Sequence, residues 1–173
     1  MKTRSWRKIT LYKLWDYLVL TNIKYALWYF AAYFPLFQDL MSWKIRPALW
    51  RLLGAKVGKN VFIGYGVYLD VGGAKRVMIG NNVLIAAQCL LLTHKRDLRK
   101  YDGRGLQNEL GFKEEAIELK DNSSIGMRTM VLPGVIIGEN TVVGAGSVVS
   151  KNIPANVIAV GNPLAIVKEF KAL

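Results

Sequence analysis

His94 is the only histidine in the 173-residue chain. An imidazole can take or give a proton near neutral pH, which makes it the first candidate for general-base chemistry. It stands directly before Lys95–Ala116, a polar stretch carrying Lys95, Arg96, Asp97, Arg99, Lys100, Asp102, Arg104 and Glu109. A charged loop of that length is a common home for function. The competing reading of His94 is a surface or packing residue. Cys89 is the sole cysteine, so no disulfide can form within the chain, in keeping with a reducing compartment. One His and one Cys do not make a metal-ligand cluster, so no catalytic metal is expected.

What must position His94 is a repeat. Leu119, Ile125, Val131, Ile137, Val143 and Val149 fall on a strict beat of six. The next position is mostly small (Gly126, Gly138, Gly144, Ser150), and the position four after each aliphatic is small or β-branched (Ser123, Thr129, Thr141, Ser147). Helices repeat near 3.6 and strands near 2, so neither explains six. A coil of flat faces does: each hexapeptide is one short strand and one corner, and three make a turn of a parallel β-helix. Val57, Ile63 and Leu69, then Ile79, Ile85 and Leu91, keep the same beat, with Val71–Met78 out of phase and the rhythm lost after His94 until Leu119. Cys89 falls in a slot that faces inward, which suits a buried thiol better than an acyl carrier. Leu164–Phe170 is expected to be a short helix capping the last coil.

Residues 1–53 are a different material. Net charge is +12, and residues 1–60 hold 11 Lys/Arg against two acids, with all five Trp and 13 of 19 aromatics. A helix is expected from Met1 to about Phe34, broken at Pro35, then a second over Leu36–Leu53, interrupted at Pro47 and stopped by Gly54. A secretory signal lacks its small-residue cleavage site. A membrane span needs about 20 apolar residues, and Asp16, Asn22 and Lys24 interrupt the run. A basic, aromatic helix lying on an anionic membrane surface fits better; simple packing on the β-helix is the alternative. Nucleic acid is not an expected partner, because large apolar residues dilute the basic ones.

The run Ile79-Gly80-Asn81-Asn82-Val83, then Thr93-His94, Asp121-Asn122 with Ile125-Gly126, and Pro133-Gly134-Val135-Ile136-Ile137-Gly138 resembles the left-handed β-helix hexapeptide acyltransferases. So does the tail from Val143-Gly144-Ala145-Gly146 to Gly161-Asn162-Pro163. The resemblance covers about residues 54–170 and is closest to the maltose, galactoside and exopolysaccharide (colanic-acid-like) O-acetyltransferases. It implies a mainly β chain: a left-handed parallel β-helix over 54–173 with an excursion loop at 95–116, following an α-helical segment at 1–53. It also implies a homotrimer with active sites at subunit seams, and acetyl-CoA as acyl donor.

By the same resemblance His94 is the general base for direct transfer to a sugar hydroxyl, with an oxyanion donor from around Ser124–Gly126 of a neighbouring subunit. Gln88 falls where the family often has an asparagine that touches the acceptor, the alternative being a solvated corner residue, and Glu109 could reach the acceptor from the loop. Ser124, Gly126, Gly144, Ala145 and Ser150 match positions along the pantetheine arm, and Lys151 and Lys168 match basic residues near the nucleotide phosphates. Two departures stand out: Ala165 where the family often has arginine, and Ser124 where sugar acetyltransferases commonly have tryptophan. The expectation is an O-acetyltransferase acting on a hydroxyl of a bacterial polysaccharide or lipid-linked glycan precursor, cytoplasmic and peripheral on the inner face of the membrane. Its rival is a soluble O-acetyltransferase of a small sugar or xenobiotic alcohol. A γ-carbonic-anhydrase-like site fails for want of histidines, and a pure scaffold has no use for His94.

Overall fold

The computed structural model describes residues 11–101, 103 and 110–171. The six-residue beat becomes a three-sided prism of parallel strands. The first face holds β1 (Lys56–Val57), β4 (Val77–Ile79), β9 (Ile117–Leu119) and β12 (Ile136–Ile137); the second holds β2 (Phe62–Ile63), β5 (Leu84–Ile85), β10 (Ser124–Ile125), β13 (Val142–Val143) and β15 (Val157–Val160). The third holds β3 (Tyr68–Leu69), β6 (Leu90–Leu91), β11 (Met130–Val131) and β14 (Val148–Val149). In-register pairs stack the beat residues in columns inside the prism: Ile63 on Ile85 on Ile125 on Val143, and Leu69 on Leu91 on Val131 on Val149. Each of these eight side chains is fully buried. The small fifth-position residues Ser123, Thr129, Thr141 and Ser147 are buried as well, because the corners leave little room there.

The register gives the length of each coil. Ile125 pairs with Val143 across a regular 18-residue coil, Ile63 with Ile85 across 22, and Ile85 with Ile125 across 40. The two long coils therefore carry four and 22 extra residues. The four belong to a 3-10 turn at Val71–Arg76, and the 22 to the excursion between β6 and β9. Both leave the prism at one corner, where the third face hands over to the first.

Another corner carries a ladder that the sequence reading did not find. Asn60, Asn82, Asn122, Asn140 and Asn156 all adopt left-handed backbone (φ 53–60°). Their amides link coil to coil at 3.0–3.1 Å. Asparagine tolerates this conformation better than other non-glycine residues. Asn122→Gly, which keeps the backbone and loses two rungs, is expected to cost about 1–2 kcal/mol. Asn122→Ala should cost about 1–2 kcal/mol more, for the left-handed Cβ. Denaturant midpoints equal to wild type in both variants would contradict this.

The N-terminal segment folds as α1 (Leu11–Tyr33), α2 (Gln38–Leu40), a π-helical turn at Met41–Ile45, and α3 (Arg46–Leu52). The expected start at Met1 lies outside the described residues. Pro47 does not break the second helix. It sits in the first turn of α3, where the wider turn upstream relieves the missing N–H. Gly54 stops α3 with φ +108°. Trp50 and Leu53 join the core of the prism and close its first coil. The end of α1 docks alongside: Trp28 stacks edge-on against Tyr68 at 5.4 Å, and the Gly66 amide donates to the Ala32 carbonyl at 2.7 Å.

The expected C-terminal helix is corrected. Ala165–Glu169 is a strand, β16, running antiparallel to β15 after a turn through Gly161, Asn162 and Pro163. The last coil leaves the edge of the second face open, and a hairpin satisfies that edge where a helix would not. The β-branched pair Ile166-Val167 favours the extended form.

Candidate active site

The corner that carries both insertions brings together two residues 24 apart in sequence. His94 opens β7 (His94–Arg96), which pairs antiparallel with β8 (Phe112–Glu114) to form the base of the excursion. Asp70 lies one coil earlier, just before the 3-10 turn. Its Oδ2 is 2.6 Å from His94 Nδ1. Thr93 Oγ1 donates to the same oxygen at 2.5 Å. The Asp70 side chain is 11% exposed and that of His94 43%, so the carboxylate is sheltered while the ring edge reaches solvent.

Burial pushes the Asp70 carboxyl up, but hydrogen bonds from Thr93 and His94, the His94 charge and the Gly73 amide outweigh it and hold it below the ordinary carboxylate value. Asp70 therefore stays ionised through the neutral range. Its pull on the folded state is complete above the unfolded carboxylate value and is lost only as pH falls through the depressed one. An ionised carboxylate can only accept, so Nδ1 carries the proton and Nε2 is left with its lone pair outward.

Glycine is required at position 73. A Cβ there would lie 1.8 Å from Thr93 Oγ1 and 3.1 Å from Asp70 Oδ2. On the outer side Phe112 meets the His94 ring edge-on at 5.3 Å, and the Arg96 guanidinium sits 4.2 Å over Phe112. Arg76, in the first insertion, pairs with Glu114 in the second. Lys95 and Lys113 hold Glu115 at 3.0 and 2.6 Å. The two insertions are thus tied together around the imidazole.

The other sequence candidates fall in separate places. Gln88 is at the corner entering the third face, with left-handed backbone (φ 60°). Gly126, Gly144 and Ala145 share that corner. A Cβ on Gly126 would lie 2.4 Å from the Ala145 amide nitrogen, so the coils touch backbone to backbone there. Ser150 and Lys151 are exposed at the far end of the third face, Ser124 lies half-buried on the second, and Lys168 is exposed on β16. Glu109 lies outside the described residues. Ser124 and Lys168 share one outward row of the second face, through Val142 and Ile158, beside the corner of Gly126, Gly144 and Ala145; only Ser150 and Lys151 lie away from it. The amides of Ser124 and Gly126 donate to Thr141 and Val143 carbonyls at 2.8 Å, which removes both as oxyanion donors. Cys89 is buried, 3.1 Å from the Gly126 carbonyl, and burial pushes its thiol up. That makes it a poor nucleophile.

The sequence reading missed Asp70. The signal was present: the beat breaks after Asp70 as it breaks after His94, and both breaks belong to one corner.

Residues 116–151 match the family described as bacterial transferase hexapeptide (six repeats). A galactoside O-acetyltransferase of Lactococcus lactis is 35% identical over 134 residues, 73% of this chain and 59% of that protein. The crystal structure of a maltose O-acetyltransferase from Clostridium difficile superposes with a TM-score of 0.66 at 27% identity, over 91% of this chain and 90% of that one. A galactoside acetyltransferase solved in complex with coenzyme A shares the fold, with a TM-score of 0.65 at 24% identity over 90% and 83% of the two chains. The chain carries the bacterial transferase hexapeptide repeat over residues 116–151, and its prism has the left-handed parallel β-helix fold of these acetyltransferases. It spans between half and three-fifths of the length of the curated relatives it matches.

Proposed function

We propose that the chain is an acetyl-CoA-dependent O-acetyltransferase of a glycan hydroxyl, with His94 as general base. The observation that carries this is the sheltered Asp70 carboxylate on His94 Nδ1, which leaves Nε2 free at the surface. In the reaction Nε2 takes the acceptor hydroxyl proton as that oxygen attacks the thioester carbonyl. The tetrahedral intermediate collapses, the C–S bond breaks, and the imidazolium returns the proton to the departing thiolate. An ester and free coenzyme A result. Asp70 stabilises the imidazolium in between, and general bases so placed are worth about 10²–10⁴ in rate.

We place the donor site at the seam of a homotrimer. Gly126, Gly144, Ala145 and Lys168 lie on the second face and its exit corner, while Ser150 and Lys151 lie at the far end of the third. That separation supports a seam, since a neighbouring prism would bring a second set of these residues to complete the groove. The acceptor we favour is a polysaccharide or lipid-linked precursor at the inner face of the cytoplasmic membrane. α1 and the turn after it expose Leu18, Leu20, Ile23, Tyr29, Leu36 and Phe37 beside a basic segment. A groove of about 730 Å³ there is lined by aromatic rings, among them Tyr25, Trp28, Tyr33 and Tyr65. No described helix is long and apolar enough to cross a membrane, so contact would be peripheral. A small soluble sugar is the second reading, supported by the galactoside acetyltransferase likeness.

Acetyl transfer to a glycan panel, followed by mass, together with sedimentation on vesicles with and without anionic lipid, tests both parts. The expected results are an acetyl mass increment on a glycan and pelleting that needs anionic lipid and weakens with salt. A protein that acetylates a free disaccharide well and ignores vesicles would favour the small-sugar reading.

A further inference from the structure

The corner entering the third face carries a side chain that the reaction above does not use. Gly66, Gln88, Arg128 and Gly146 stack there on successive coils with φ of 67°, 60°, 57° and 68°. Each of Gln88, Arg128 and Gly146 donates its amide to the neighbouring coil, at 2.8, 3.1 and 2.8 Å. Left-handed backbone suits the two glycines and disfavours an arginine. The coil's packing needs no arginine either, because Arg128 is exposed. Its Nε donates to Gln88 Oε1 at 2.8 Å. That bond fixes the plane of the guanidinium and leaves the Nη1–Nη2 edge for a ligand. Among the described residues no carboxylate forms an ion pair with it. It also turns the Gln88 amide so that its NH₂ is free to donate.

A guanidinium held on one side and open on the other matches a carboxylate or a phosphate, which it binds through two parallel hydrogen bonds. We propose that Arg128 is a specificity residue that reads a negative charge on the acceptor, so that the glycan acetylated is an acidic one, carrying a hexuronate carboxylate or a phosphate. This rests on the acetyltransferase reading and on Gln88 meeting the acceptor. Gln88 and His94 stand at opposite ends of the third face, a width of four to five extended residues or about 13–17 Å. Within one chain the charge is therefore read on a sugar flanking the acetylated one; across a seam it can sit on the same ring.

The test is an NMR titration of the full chain with matched neutral, uronate and phosphate glycosides, as mono- and disaccharides. Wild type is compared with Arg128→Gly and Arg128→Lys. Glycine fits the left-handed corner, so the variant should fold, which a thermal melt checks. The wild type is expected to bind an anionic glycan about tenfold more tightly than its neutral counterpart. Arg128→Gly should bring that ratio to near one, and lysine, a point charge without the fork, should restore part of it. The uronate and phosphate arms identify the anion. A wild type with no preference, a preference that survives in Arg128→Gly, or an effect confined to acetyl-CoA binding would overturn the proposal. Binding is read without turnover. A failed transfer assay beside a retained, Arg128-dependent preference would therefore sink the reaction and leave the anion site standing.

Discussion

An Asp70→Asn protein is expected to transfer acetyl about 10²- to 10⁴-fold more slowly than wild type, with little change in the KM for acetyl-CoA. The substitution is nearly isosteric and keeps the buried bond to Thr93 within reach. What changes is the proton on the ring. The carboxylate can only accept from Nδ1, which leaves Nε2 unprotonated and able to act as the proposed base. An amide can donate to Nδ1 instead, and the proton then sits on Nε2, where it blocks the reaction. Steady-state kinetics beside a melting curve separates this from a structural role. A large loss of kcat at unchanged KM and near-unchanged melting supports the tautomer account. A loss of stability with kcat intact would contradict it.

Leu119→Ala is expected to destabilise the fold by about 2–5 kcal/mol, read from denaturant unfolding. Leu119 is fully buried and sits between Ile79 and Ile137 in the column of the first face. It also anchors β9, the strand on which the chain returns from the 22-residue excursion. The coils above and below are pinned by their own ladders, so the cavity cannot collapse. Glu118→Ala, one residue away, removes only a solvent-screened ion pair with Lys120 and should cost far less. Equal costs for the two would contradict a packed interior column.

Much of this was legible in the chain. A beat of six with small corner residues has one simple physical solution, and the inward aliphatics stack as the beat requires. His94 could be singled out because it ends a regular stretch and opens a charged one. Asp70 is marked only by the break in the beat that follows it, and that mark gains meaning once the 18-, 22- and 40-residue registers put this break and the one after His94 on one corner. The asparagine ladder is hidden for the same reason, since its members are unevenly spaced until the coils are aligned. Ala165–Glu169 was misread because a short apolar run is ambiguous between helix and strand. The open edge of the second face, a tertiary feature, decides it. Arg128 carries no mark in the sequence, and only its bond to Gln88 across 40 residues singles it out.

The central claim is that His94 Nε2 removes the acceptor's proton. Release of free thiol from acetyl-CoA, in the presence of a glycan acceptor and compared between wild type and His94→Ala, tests it most directly. The account predicts acceptor-dependent release in wild type and a fall of about 10²–10⁴-fold in the variant, with the protein still folded. A His94→Ala protein as fast as its parent would contradict it.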